Sequence, residues 1–175
     1  MGAKTTENNL DREAVKRYLQ QYHVAKRIKG ILEERRRTLS EELRAPVSGR
    51  QFGTAAKKSA NQDKTVSGVI RLSEIEERIE TQREETAKAV LNVMDMIDLL
   101  PVNSVEKSVV EMRHIDGMTW ERIADTIPMA RSSVIAHYND ALEILLTYKR
   151  TEKLVGDFTK AQRQREKKRR RKNDV

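Results

Sequence analysis

The sequence contains no cysteine, only 3 prolines and 7 glycines, and few aromatic residues, at 4%. Without cysteine there is no disulfide framework and no thiolate metal site, which agrees with a reducing compartment. So little Pro and Gly leaves few turns, and an all-β sandwich or a doubly wound nucleotide fold is disfavoured. No apolar run approaches the ~20 residues that span a bilayer, and no short apolar segment follows the N-terminus. A soluble, non-secreted, cytoplasmic protein with no membrane partner is therefore expected.

Charge is plentiful. Charged residues make up 35% of the 175 positions and hydrophobic residues 37%, against roughly 25% charged in an average soluble domain. The apolar surface available for a thick core is limited, and Glu, Lys, Arg, Ala and Leu dominate, so long thin helices are favoured. The length admits one domain, or a small domain plus an extended element. The net charge of +8 is concentrated: nine Lys/Arg and one acid, Glu166, lie between Lys160 and Lys172, leaving 26 basic and 26 acidic residues elsewhere. A neutral body with a cationic end fits a polyanion partner, because each cation placed on a phosphate releases a condensed counterion. A solvated, disordered tail is the alternative.

Positions 1–9 are polar and aperiodic, a disordered leader. From Leu10, with Asp11 as a candidate N-cap, apolar or aromatic residues recur three, four or seven apart through Ala14, Tyr18, Tyr22, Ala25, Ile28, Leu32, Leu39 and Leu43 until Pro46. This is an amphipathic helix whose apolar face needs a partner. Positions 46–68 lose all periodicity and read as a flexible loop or solvated linker, with Arg50, Lys57, Lys58 and Lys64 able to touch phosphate. A second amphipathic stretch, Val69 to Leu100, carries Ile70, Leu72, Ile75, Ile79, Val90, Val93, Met94 and Ile97, interrupted by Gln82 and Thr86. The two stretches predict an antiparallel helical hairpin over 10–100, coiled-coil-like and suited to dimerisation or higher homo-oligomers.

After Pro101 the blocks shorten. Asn103 or Ser104 can cap a helix with Val105, Val109, Val110, Met112 and Ile115 as apolar positions, stopped by Asp116-Gly117. Thr119 caps a second helix with Trp120, Ile123, Ala124 and Ile127 on one face, and Pro128–Ala130 forms the turn. A third helix runs from near Arg131 to about Tyr148, with Val134, Tyr138, Ala141, Leu142 and Leu145 inward. Two helices around a short turn, with small Ala124 at the crossing, predict a helix-turn-helix over 101–150, followed by a basic tail over 151–175. The fold class expected is all-α.

In that arrangement Arg131, Ser132, Ser133 and Ala136 face a DNA major groove, with Ile135 and Asn139 at its edge. Arg131 can pair with a guanine edge or neutralise a phosphate. Ser132 and Ser133 suit phosphate, and Ile135 or Ala136 a thymine methyl. In the tail, Lys167, Lys168, Arg169, Arg170 and Arg171 would add nonspecific affinity. His23, His114 and His137 are scattered, Asp95 and Asp98 read as solvated acids, and no phosphate-cradling glycine pattern or nucleophile motif is present. No metal, cofactor or catalysis is expected.

The segment Val105-Glu106-Lys107-Ser108-Val109-Val110-Glu111-Met112-Arg113-His114-Ile115-Asp116-Gly117-Met118-Thr119-Trp120-Glu121-Arg122-Ile123-Ala124, with Arg131-Ser132-Ser133-Val134 and Ala141-Leu142, resembles the promoter −35-reading domain of bacterial sigma factors. With Trp120 after Thr119, His137 in the third helix and the long hairpin before, the chain is similar to the ArpU/RinA group of phage late transcription regulators. The resemblance implies a double-stranded DNA-binding activator of phage or prophage late genes. It would act in a Gram-positive-type host, near the nucleoid, by recruiting host RNA polymerase. It also implies that Thr119, Trp120 and Glu121 begin the supporting helix beside the DNA. Ala136 and Ile135 depart from the longer polar or basic residues common in sigma factors, so a standard −35 preference is not implied. A DNA-packaging oligomer of the small-terminase kind combines the same elements and is the competing expectation.

Overall fold

The structure, a computed structural model, describes residues 12–44 and 56–173. The leader 1–9, Asp11 and the first part of the expected loop lie outside the described residues. All regular structure among the described residues is helical. Residues 12–19 form α1, followed by α2 Gln21–Arg44, α3 Ala56–Ile97, α4 Val105–His114, α5 Trp120–Thr126, α6 Arg131–Leu146 and α7 Lys149–Asn173. The all-α expectation holds. Two compact units divide the chain, one comprising residues up to His23 and from Ala89 onward, the other Val24–Lys88.

The Val24–Lys88 unit is a two-helix hairpin. The Gln82 side-chain amide donates to the Ala25 carbonyl at 3.4 Å, and at the other end the Leu43 side chain lies against Gly68. Ala25 to Leu43 and Gln82 to Gly68 thus run in opposite senses. The seam on α3 follows Gly68, Leu72, Ile75, Ile79, Gln82 and Thr86, spaced four and three apart as in a coiled coil. Two expectations change here. Gln82 and Thr86 do not break the seam but belong to it, Gln82 being buried and Thr86 half-buried with its hydroxyl donating to the Gln82 carbonyl at 2.7 Å. Ile28 and Ile70, expected on the two stripes, are instead exposed. The loop expected over 46–68 is also corrected in part, since α3 already begins at Ala56. Nothing between Ala56 and Gly68 breaks a helix, and Ala, Lys and Gln propagate one without needing an apolar face.

In the other unit, α1 gives way to α2 at Gln20, where the Gln21 side chain donates to the Tyr18 carbonyl at 2.9 Å and competes with the backbone ladder. The core gathers Val15, Tyr18 and Leu19 of α1, Val93, Met96 and Ile97 of α3, Leu100, Val109, Val110, Ile123, and the inner face of α6. That inner face is Val134, Tyr138, Ala141, Leu142 and Leu145, the five residues expected inward. Met94, expected on the apolar stripe, is exposed.

Ser104, rather than Asn103, caps α4, its hydroxyl accepting from the Lys107 N–H at 3.1 Å. Asn103 takes a left-handed turn conformation. The tail expectation is corrected: α7 is a 25-residue helix. Thr151 is buried, and Leu154, Val155 and Phe158 pack on the core, Phe158 meeting Tyr18 edge-on at 5.3 Å. A division at residue 150 therefore cuts a helix whose root belongs to the core.

Candidate nucleic-acid interface

The candidate surface is built from α5, α6 and the turn before them. After α4, Gly117 adopts φ +72°, a left-handed conformation that glycine takes without strain, and the Met118 N–H closes on the Met112 carbonyl at 2.9 Å. A Cβ at Gly117 would stand 3.2 Å from His23 Cε1, so close approach also favours glycine there. The Thr119 hydroxyl then accepts from the Arg122 N–H at 3.3 Å and starts α5.

Trp120, grouped by sequence with the DNA-facing residues, is half-buried and seats α5 on α6. Its ring meets Tyr138 edge-on at 5.0 Å and lies 4.6 Å beneath the Arg113 guanidinium, which also donates to the Met118 carbonyl at 2.7 Å. Ile123 and Val134 are wholly buried in the same core. Ala124 is half-buried, in keeping with the small residue a close crossing requires.

With that face buried, α6 turns Arg131, Ser132, Ser133, Ala136 and Asn139 to solvent, with Ile135 half-buried beside them. Ala130 provides no side-chain cap, and the Ser133 N–H donates instead to the Ala130 carbonyl at 2.9 Å. The structure brings Thr119, Glu121 and Arg131 to one end of the helix pair. Arg131 Nε donates to Glu121 Oε1 at 3.1 Å, with both side chains well exposed. The Glu121 carboxyl is held below the usual carboxylate range, first by its own backbone N–H at the start of α5 and also by Arg131. Lys167, Lys168, Arg170 and Arg171 are exposed on a different helix, α7. The Arg169 side chain lies outside the described residues.

Sequence reasoning missed three pairings that support this surface. His137, one of the scattered histidines, places Nδ1 2.8 Å from Glu106 Oε1 and so ties α6 to α4. Asp140 stands close by, donor atoms of Glu106, His137 and Asp140 all lying within 4.8 Å of one another. The His137/Asp140 spacing of three on one helix was readable in the sequence, but Glu106 was not linked to it by any local pattern. His114 is buried with its Nε2 3.0 Å from the Tyr138 hydroxyl, while Nδ1 has no partner at hydrogen-bond distance. Burial first, then the His23 and Arg113 charges, push its pKa down to about 3. Arg12 of α1 pairs with Glu143 of α6.

Comparison with known proteins finds no match to the chain among family models, curated proteins or solved structures. Among the described residues no helix is long and apolar enough to cross a membrane.

Proposed function

We propose that the chain is a sequence-specific double-stranded DNA-binding transcriptional regulator. It would activate phage or prophage late genes together with host RNA polymerase, in the bacterial cytoplasm at the nucleoid. The observation that carries this reading is the N-terminal face of α6. Arg131, Ser132, Ser133, Ala136 and Asn139 are exposed together, without a side-chain cap, on a helix fixed from behind by Val134 and Tyr138. An exposed helix start with one guanidinium, two hydroxyls and a carboxamide matches the donors and acceptors of base edges and phosphates in a major groove.

The test is selection of bound duplexes from a random-sequence pool, followed by binding of Arg131→Ala to the selected and to random duplexes. The expected result is an enriched site, a loss of ~1–3 kcal/mol on that site and a far smaller loss on random DNA. An identical loss on both overturns base readout by Arg131. The exposed aliphatic residues Val24, Ile28 and Ile31 of α2, spaced four and three apart, favour self-association of the hairpin. Light scattering then separates two roles: a dimer fits the regulator, whereas a ring of many subunits fits a DNA-packaging oligomer.

A further inference from the structure

α7 is more than a cationic tail that happens to be helical, because its charges are sorted around the axis. At about 100° per residue, six of the nine cations between Lys160 and Lys172, namely Lys160, Arg163, Lys167, Lys168, Arg170 and Arg171, fall within an arc of about 160°, and the other three fall outside it. In the same register the docked residues Thr151, Leu154, Val155 and Phe158 centre on the opposite side of the helix. Gln162 and Glu166 also fall on that opposite side, so the one acid of this stretch stands off the cationic arc. Lys149 and Lys153 continue the arc into the first turns, with Glu152 and Asp157 at its edges. Every described side chain from Lys160 to Arg171 is exposed. The result is a cationic stripe directed away from the core.

The root explains how so charged a segment stays helical. Starting a helix is costly while extending one is not, and the packed first turns of α7 supply the nucleus. Lys, Arg, Gln and Ala then extend it, against repulsion between like charges three and four apart. A row of phosphates along the stripe removes that repulsion and releases counterions at once. The helix is roughly 37 Å long at 1.5 Å per residue, close to one turn of B-DNA at about 34–36 Å.

We infer that the cationic stripe of α7 is a second nucleic-acid site, a rigid rail for the phosphate backbone of a duplex, separate from the groove-facing start of α6. The inference rests on the DNA-binding reading for the identity of the polyanion, and it assigns sequence-independent affinity to one face of one helix.

The test removes equal charge from two faces of the full-length protein. Arg163, Lys167 and Arg171 are changed to Gln in one variant, and Arg165, Arg169 and Lys172, which the same register places off the arc, in another. Binding to a random-sequence duplex is measured across a salt series, with helicity checked by circular dichroism. The on-stripe variant is expected to weaken binding at least tenfold and to lower the salt slope by about 3, at roughly 0.9 for each phosphate no longer neutralised. The off-stripe variant is expected to change the slope by less than about 1. Equal losses in the two variants overturn the stripe in favour of a diffuse charge cloud, and no loss in either overturns it as well. Those outcomes leave selected-site recognition by Arg131 standing. Failure of the unmodified protein to bind any duplex overturns both readings together.

Discussion

The unit that holds α4 to α7 and the hairpin unit bury their apolar residues in different ways. In the first, several helices converge from different directions, and Val109, Val110, Ile123, Val134, Leu142 and Leu145 are all at 0% exposure. In the second, two helices meet along a single seam, whose buried members among the described residues include Gly68, Ile79 at 5%, and Gln82 and Ala25 at 8%. A pair of rods can hide one stripe on each rod and no more. Val24, Ile28 and Ile31 on α2, and Val66, Val69 and Ile70 on α3, are left in solvent. Convergent packing makes a surface whose shape is fixed from behind; a lone seam fixes register and direction and little else.

The largest effect that sharpens this contrast is a matched pair of truncations. Leu142→Ala in the convergent core should cost about 3–5 kcal/mol, while Leu39→Ala on the half-buried seam should cost on the order of 1 kcal/mol. Urea unfolding of the two variants measures the difference, and equal costs would remove the distinction.

Next in size is a pH effect confined to the convergent core. His114 is held neutral there with a pKa of about 3, below the unfolded value of 6.5. A base whose pKa is depressed on folding contributes fully above the unfolded value, and stability falls as pH drops from 6.5 towards 3. The slope is about 1.4 kcal/mol per pH unit, so about 2 kcal/mol between pH 6.5 and 5. His114→Phe should flatten that part of the curve, as followed by urea unfolding at several pH values. A curve of unchanged slope in this variant would assign the loss to other groups.

The smallest effect is in the hairpin. Gly30 lies within α2, and a Cβ there would meet nothing within 4 Å. Gly30→Ala should stabilise by about 0.5–1 kcal/mol by restricting the unfolded chain alone. A rise in thermal midpoint without change in helical content at low temperature checks it.

What was legible in the sequence follows from the same contrast. The helix-turn-helix is announced by local chemistry, namely the cap at Thr119, the glycine at Gly117 and the inward spacing of Val134, Tyr138, Ala141, Leu142 and Leu145, and each of these acts within a few residues. The partnerships of His114 with Tyr138, His137 with Glu106 and Arg131 with Glu121 were not legible, because they join residues 24, 31 and 10 positions apart that only the packed structure brings together. The cationic end was read from composition alone, and composition does not register that Leu154, Val155 and Phe158, just upstream, anchor a helix. The start of α3 was obscured for the related reason that a helix extended from an already packed segment needs no apolar rhythm of its own.

The ion pair between Arg131 and Glu121 bears on how the proposed regulator would engage DNA. The guanidinium meets an incoming duplex with an anion already in its grasp, so binding swaps one anion for another and does not simply add a contact. A backbone phosphate and a guanine edge would each engage the guanidinium at two points in place of that carboxylate. In the proposed regulator Glu121 would thereby be a resident competitor that any DNA contact by Arg131 has to displace.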